Sequence, residues 1–233
     1  MAKITILFDN TSAHREIKPG WGFSALVEVG QRRILFDAGP HSPIPALRTL
    51  GIPPESIRES IISHFHPDHY GGLDDFLASN PGIALYVPSP VPPDLKARWQ
   101  ILANLKEVKG PVDLGDGLRL TGPLGSRMPE MALLVDTSSG LLMVVGCAHP
   151  GLEELARKAQ EITGNYPSAI LGGLHIMGLR PLKIRQIAAK LREMGVEMVI
   201  GCHCTGREAL RIVREEIGGE VLSGGIGRVF EFH

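Results

Sequence analysis

A twelve-residue segment, IISHFHPDHYGG at positions 61 to 72, limits what this chain can fold into. It places four polar side chains within six positions: His64, His66, Asp68 and His69. The segment from Glu59 to Ser63 predicts a short buried strand that ends at this cluster. Side chains two apart at a strand end point to the same side, so we expect the imidazoles of His64 and His66 to meet.

The turn after this strand is expected to bring the other two side chains to the same place. Pro67 ends strand pairing because it has no backbone N–H. Imidazole and carboxylate together suit Zn²⁺, Mn²⁺ or iron. One metal cannot accept all four ligands from so short a loop and keep a reactive water, whereas two metals about 3.5–4 Å apart can share a hydroxide. The segment therefore predicts a binuclear site, with Asp68 as ligand and proton acceptor. A histidine-rich surface loop without ligands is the alternative.

The order of the elements indicates the fold class. Strands crowd the first half, whereas helices and strands alternate in the second, which indicates two packed sheets with helices outside. Helices are expected over residues 73–78, 94–105, 152–163, 181–194 and 208–217. The chain contains neither an evident linker nor a fixed repeat, so residues 1–233 are expected to form one domain.

Composition excludes several functional classes. Lys and Arg total 24 against 25 Asp and Glu, and a net charge of −1 provides no general attraction to nucleic acid or an anionic membrane. Apolar runs stay well short of the ~20 residues of a membrane span, and MAKITILFDN lacks the features of a signal peptide. We therefore expect a cytoplasmic protein with a small-molecule substrate; its oligomeric state is left open.

Three histidines in the second half also follow predicted strands. His149, His175 and His203 follow the apolar runs 141–145, 169–171 and 196–200, where side chains can converge on an open site. His149 and His203 are predicted metal ligands. His175 is assigned either to metal or to substrate.

The three cysteines are Cys147, Cys202 and Cys204, and an odd number without a regular framework argues against a disulfide scaffold. Cys202 and Cys204 flank His203. If the backbone is extended there, both point away from the histidine, so we expect them to pack in the core rather than to form a cysteine-rich zinc site.

HFHPDH matches the H-x-H-x-D-H signature of the metallo-β-lactamase superfamily, and LFDAG at 35 to 39 resembles an earlier strand–turn motif of that superfamily. GCAHPG, GGLHI and GCHCTG, at positions 146–151, 172–176 and 201–206, are similar to its dihydropterin ribofuranosylaminobenzene phosphate synthase-like branch. The resemblance implies an α/β (α+β) fold, a four-layer αββα sandwich. It also implies that Asp37 supports the site by contacting the metal ligands rather than the metal itself.

The chain departs from the superfamily pattern at two points. The superfamily usually supplies a third histidine ahead of the last hairpin, yet no histidine lies between His69 and His149, so His149 is assigned to that position. The usual Gly-Asp pair is here Gly146-Cys147. Cys147 is therefore either a thiolate ligand or a small buried residue.

The resemblance implies a metal-dependent hydrolase in which a metal-bound hydroxide attacks an ester, phosphoester or pterin-type substrate. Its cofactors would be two divalent ions, with zinc expected first and manganese or iron as alternatives. A di-iron oxidoreductase of the same fold and a non-catalytic metal- or pterin-binding module are the other functions considered.

Overall fold

The computed structural model describes residues 1–233. The chain divides into two compact units, Met1–Lys109 with Gly225–Glu231 and Gly110–Gly224 with Phe232–His233. The expectation of one domain over 1–233 stays a prediction.

Residues 1–109 of the first unit contain six strands and four helices. The strands are β1 (Ala2–Phe8), β2 (Ser24–Val29), β3 (Arg32–Ala38), β4 (Glu59–Ile61), β5 (Ala84–Pro88) and β6 (Asn104–Val108). The helices are α1 (Ile44–Thr49), α2 (Pro67–Tyr70), α3 (Leu73–Ser79) and α4 (Pro93–Leu102), with a 3₁₀ turn at Pro54–Ser56.

The second unit begins with an antiparallel part and continues with alternating strands and helices. Its strands are β7 (Val112–Gly115), β8 (Leu118–Leu120), β9 (Leu133–Thr137), β10 (Gly140–Val145), β11 (Pro167–Gly173), β12 (Met198–Cys202) and β13 (Glu220–Ser223). Its helices are α5 (Leu152–Thr163), α6 (Pro181–Glu193) and α7 (Arg207–Ile217), with a 3₁₀ turn at His203–Thr205. The final strand, β14 (Val229–Phe232), belongs to the first sheet.

Each sheet has seven strands. The first has the order β14-β1-β2-β3-β4-β5-β6, and the second has the order β13-β12-β11-β10-β9-β8-β7. Strands β3 to β6 pair in parallel in the first sheet, as do β10 to β13 in the second. Because parallel strands end at the same edge, the loops after β3 and β4 are neighbours, and so are those after β10, β11 and β12.

Helix α5 illustrates how apolar spacing forms the core of the second unit. Its buried residues Leu152, Leu155, Ala156 and Ala159 recur at the three- and four-residue intervals of one helix face. The helix ends at Gly164, whose φ of 82° is the left-handed conformation that glycine adopts without strain. In the first unit, Phe76 and Trp99 are completely buried in a separate core cluster.

Several predicted boundaries were wrong. The helix expected over 94–105 ends at Leu102, and Leu105 lies in β6, because Ala103 at φ −144° is already extended. The strand expected to reach Ser63 ends at Ile61. Strand β13 and helix α2 were not expected. The most apolar helices remain too short or too polar to cross a bilayer.

Candidate metal centre

The histidine segment of the first unit begins where β4 ends. His64 is buried and His66 half-buried, and His64 Nε2 lies 3.0 Å from His66 Nδ1. Two nitrogens each about 2.0–2.1 Å from one zinc ion are themselves about 3.0–3.4 Å apart. The spacing of these two donors therefore fits a shared metal ion. The expected convergence of the two imidazoles is observed, and their role as ligands remains a prediction.

His69 is held by a buried carboxylate on the neighbouring strand. Its Nδ1 lies 2.7 Å from Asp37 Oδ2, and both side chains are completely buried. The same carboxylate accepts hydrogen bonds from the backbone N–H of Ser63 at 2.7 Å and from its hydroxyl at 2.8 Å. Asp37 thus contacts His69 and Ser63 directly, and its role in supporting a metal site stays a prediction.

The other half of the segment turns sharply. Asp68 and His69 lie in α2, with Asp68 Oδ2 3.9 Å from His69 Nε2. The ring centroids of His64 and His69 are 4.2 Å apart. After α2 the chain passes Gly72, where a Cβ would collide with the backbone carbonyl of His41. Glycine is therefore required where the chain leaves α2 and passes close to the backbone of His41.

In the second unit, one buried glutamate organises the loop after β10. Glu130 is completely buried, and its Oε1 accepts the backbone N–H groups of Gly146, Cys147 and Ala148 at 2.9–3.1 Å. Its Oε2 accepts the N–H of His149 at 2.9 Å. Charge-assisted hydrogen bonds of this kind are stronger than neutral ones. A single carboxylate therefore fixes the backbone that presents Cys147 and His149.

Non-glycine residues in the left-handed conformation follow three adjacent parallel strands of this unit. Ala148, His175 and His203 have φ values of 59°, 51° and 47°, after β10, β11 and β12 respectively. Asp37, in the first unit, has a φ of 54°. Such residues cost about 1–2 kcal/mol each and cluster where function requires a defined backbone.

Two cysteines and a histidine lie together in the second unit. The Sγ atoms of Cys147 and Cys204 are 3.3 Å apart, and the backbone N–H of His175 donates to Cys204 Sγ at 3.3 Å. The pKa of Cys204 is lowered to about 5, chiefly because Cys147 stabilises the thiolate by a hydrogen bond. A hydrogen bond with Cys204 raises the pKa of the exposed His175, whose ring lies 4.5 Å from that of His149.

The expectation that Cys204 only packs in the core was incomplete. It assumed an extended backbone through His203, whereas His203 begins a 3₁₀ turn with a positive φ. Strand alternation therefore ends at Cys202, and the Cys204 sulfur meets Cys147. Strand alternation likewise does not extend from Cys147 to His149, because Ala148 between them is left-handed.

Within each unit, the structure brings several of the predicted site residues together. The first unit brings together Asp37, His64, His66, Asp68 and His69. The second brings Cys147 and His149 close to His175, and places the buried His203 directly before Cys204. Glu130 was missed, since its one sequence signal is an isolated carboxylate before an apolar strand.

The clustered imidazoles and carboxylates form the kind of donor set that divalent metals require. Residues 18–150 match the family model of the metallo-beta-lactamase superfamily, and the chain belongs to that superfamily. Its fold class is accordingly the αββα sandwich of that superfamily, whose members bind divalent metals.

Three relatives show how far the similarity extends. A curated relative from Methanocaldococcus jannaschii, 7,8-dihydropterin-6-methyl-4-(beta-D-ribofuranosyl)-aminobenzene-5'-phosphate synthase, is 27% identical, with 92% of each chain covered. The solved structure of Tm1679, described as a metal-dependent hydrolase of the beta-lactamase superfamily, is 26% identical with a TM-score of 0.84 over 99% of both chains. Human tRNase Z, short form, is 14% identical with a TM-score of 0.70 over 99% of both chains, and shares the fold.

Proposed function

We propose that this chain is a metal-dependent hydrolase that cleaves an ester or phosphoester bond and uses two divalent ions, zinc first. One observation carries the proposal: the ring nitrogens of His64 and His66 face each other at 3.0 Å beside His69, which Asp37 holds by its Nδ1. Metal ions at such sites supply a nucleophilic water near neutral pH and polarise the substrate oxygen.

The residues of the first unit have separate roles in this proposal. Asp37 accepts a hydrogen bond from Nδ1–H of His69. In that tautomer Nε2 is unprotonated and can bind a metal. Asp68 is half-buried and so combines a carboxylate ligand with contact to solvent, where it can accept a proton. His64 and His66 provide neutral donors.

The remaining ligands of this proposal come from the sequence pattern. We propose His149 and His203 on the basis of their positions in the sequence pattern. Cys147 is the alternative ligand where the superfamily usually has aspartate. We propose His175 as a substrate-binding residue, because its side chain is exposed while its backbone N–H is bonded to Cys204.

Two named relatives favour different reactions. Tm1679, at 26% identity, is described as a hydrolase, which supports the hydrolytic proposal. The M. jannaschii relative is named a synthase that forms a dihydropterin ribofuranosylaminobenzene phosphate, and its 92% coverage supports a pterin-type synthase reaction as the second candidate.

The test combines metal analysis with a small substrate panel. Protein purified without chelator is expected to contain close to two metals per chain. It should hydrolyse at least one of a nitrophenyl carboxyl ester, a bis(nitrophenyl) phosphodiester and an acyl lactone, and chelation should stop the reaction. Metal content near zero that added Zn²⁺, Mn²⁺ or Fe²⁺ does not raise would refute the metal site. Full metal content without hydrolysis would favour the synthase or a binding module.

A further inference from the structure

The contact between Cys147 and Cys204 is not required by the proposed hydrolytic chemistry. Their Sγ atoms are 3.3 Å apart, and both residues are buried, with 3% and 5% of their surface exposed. None of the three cysteines of the chain is in a disulfide, and Cys202 Sγ contacts the carbonyl of Ile200 at 3.9 Å. The 3.3 Å contact between sulfurs thus joins Cys147 to Cys204.

The local backbone keeps this pair together. Cys147 follows β10 and Cys204 follows β12, and these strands lie on either side of β11. At the end of β11, a Cβ on Gly173 would lie 2.7 Å from Cys204 Sγ. Only glycine leaves room for the cysteine at that position. Glu130 accepts a hydrogen bond from the backbone N–H of Cys147 and so fixes the backbone on that side. The close packing against Gly173 restricts the Cys204 sulfur on the other side.

We propose that Cys147 and Cys204 form a reversible disulfide, which makes this pair a redox modification site. A disulfide has an S–S distance of about 2.03–2.05 Å, so the sulfurs need to approach by about 1.3 Å.

The oxidant is a small peroxide. Hydrogen peroxide oxidises one thiol to a sulfenic acid and releases one water. The second thiol then attacks that sulfur, the S–S bond forms and a second water leaves. Two thiols and one peroxide thus give one disulfide and two waters, and two electrons pass from sulfur to oxygen. A dithiol reductant reverses the change by thiol–disulfide exchange.

The disulfide would join two loops that carry proposed ligands. Cys147 is two residues before His149, and Cys204 directly follows His203. Oxidation removes the Cys147 thiolate as a possible ligand and fastens the loop after β10 to the loop after β12. The disulfide itself does not depend on whether the protein is a hydrolase.

The experiment uses the full chain, treated with hydrogen peroxide and then alkylated under denaturing conditions. Intact mass spectrometry before alkylation should show the loss of two hydrogens, and unreduced digestion of the alkylated protein should yield one peptide pair linking residues 147 and 204. Dithiothreitol should restore two alkylatable thiols. Cys202→Ser, the matched control, should cross-link like the unaltered chain, whereas Cys147→Ser and Cys204→Ser should not.

Three results would overturn the proposal. The first is oxygen addition to either sulfur without a cross-link. The second is a cross-link that includes Cys202. The third is protection of both thiols that ends only after chelation, which would identify the pair as metal ligands. The unaltered chain and Cys202→Ser suffice for this decision if the other two variants do not fold.

Discussion

His69 Nδ1 lies 2.7 Å from Asp37 Oδ2, in a contact from which water is excluded. A neutral imidazole that donates through Nδ1 presents an unprotonated Nε2 on its other side. Asp37 also binds the backbone and the hydroxyl of Ser63, whose Oγ lies 2.8 Å from His64 Nδ1. One carboxylate therefore sets the orientation of two candidate ligands, one directly and one through a serine.

Asp37→Asn is expected to weaken metal binding about 10- to 100-fold, because the amide removes the charge that orients His69. Competition with a chromogenic chelator measures the affinity. Asp75→Asn, at an exposed position in α3, is the matched control and should bind metal normally. Unchanged affinity in Asp37→Asn would show that the Asp37 contact does not serve a metal ligand.

His66→Ala and Asp68→Ala should each lose metal and hydrolytic activity while the protein stays folded. Both side chains are only half-buried, so their removal leaves the core of the first unit intact. Elemental analysis, circular dichroism and the substrate that reacts in the panel provide the readouts. His233→Ala, outside the cluster, should retain full metal content. Normal turnover in either site variant would contradict the assignment.

Glu130→Ala is expected to lower the free energy of unfolding by about 3 kcal/mol or more, because it leaves four buried N–H donors without their acceptor. Glu130→Gln keeps the shape and one good acceptor, so a smaller loss is expected. Urea unfolding measures both. Glu220→Ala, at an exposed position, should change stability by less than about 0.5 kcal/mol. Equal stability of Glu130→Ala and Glu220→Ala would refute this role.

His149→Ala should reduce the metal content from two per chain to about one, since we propose that His149 completes the ligand set of one metal only. Its backbone N–H to Glu130 is unaffected, so the loop is expected to hold its shape. Metal titration followed by calorimetry can resolve the two binding events. Retention of both metals would exclude His149 as a ligand, and loss of both would show that the two ions bind as one unit.

Local sequence was sufficient to predict features that depend on residues close together along the chain. HFHPDH predicted the meeting of His64 and His66 because the two residues are close along the chain. The apolar spacing of residues 152–163 predicted α5 with both ends correct, since Gly164 provides the terminating left-handed residue. Asp37 was found only through a similarity of motif, as its partner His69 is 32 positions away.

Longer-range contacts were not predictable by the same reasoning. Glu130 binds amides that are 16 to 19 positions further along, beyond the β9–β10 hairpin. An isolated glutamate shows no periodicity that would reveal this. The direction of Cys204 depends on the positive φ of His203, which a histidine seldom adopts and which strand alternation does not anticipate.

The left-handed Ala148, His175 and His203 have a consequence for protein engineering. A search for thermostable variants by relief of backbone strain would select glycine at these positions, with gains of about 1 kcal/mol each. Glycine at position 148 would let the loop before His149 sample more conformations, and glycine at 175 or 203 would also remove a side chain that we propose binds substrate or metal. A higher melting temperature and a sharply defined candidate site would then be competing objectives at the same residues.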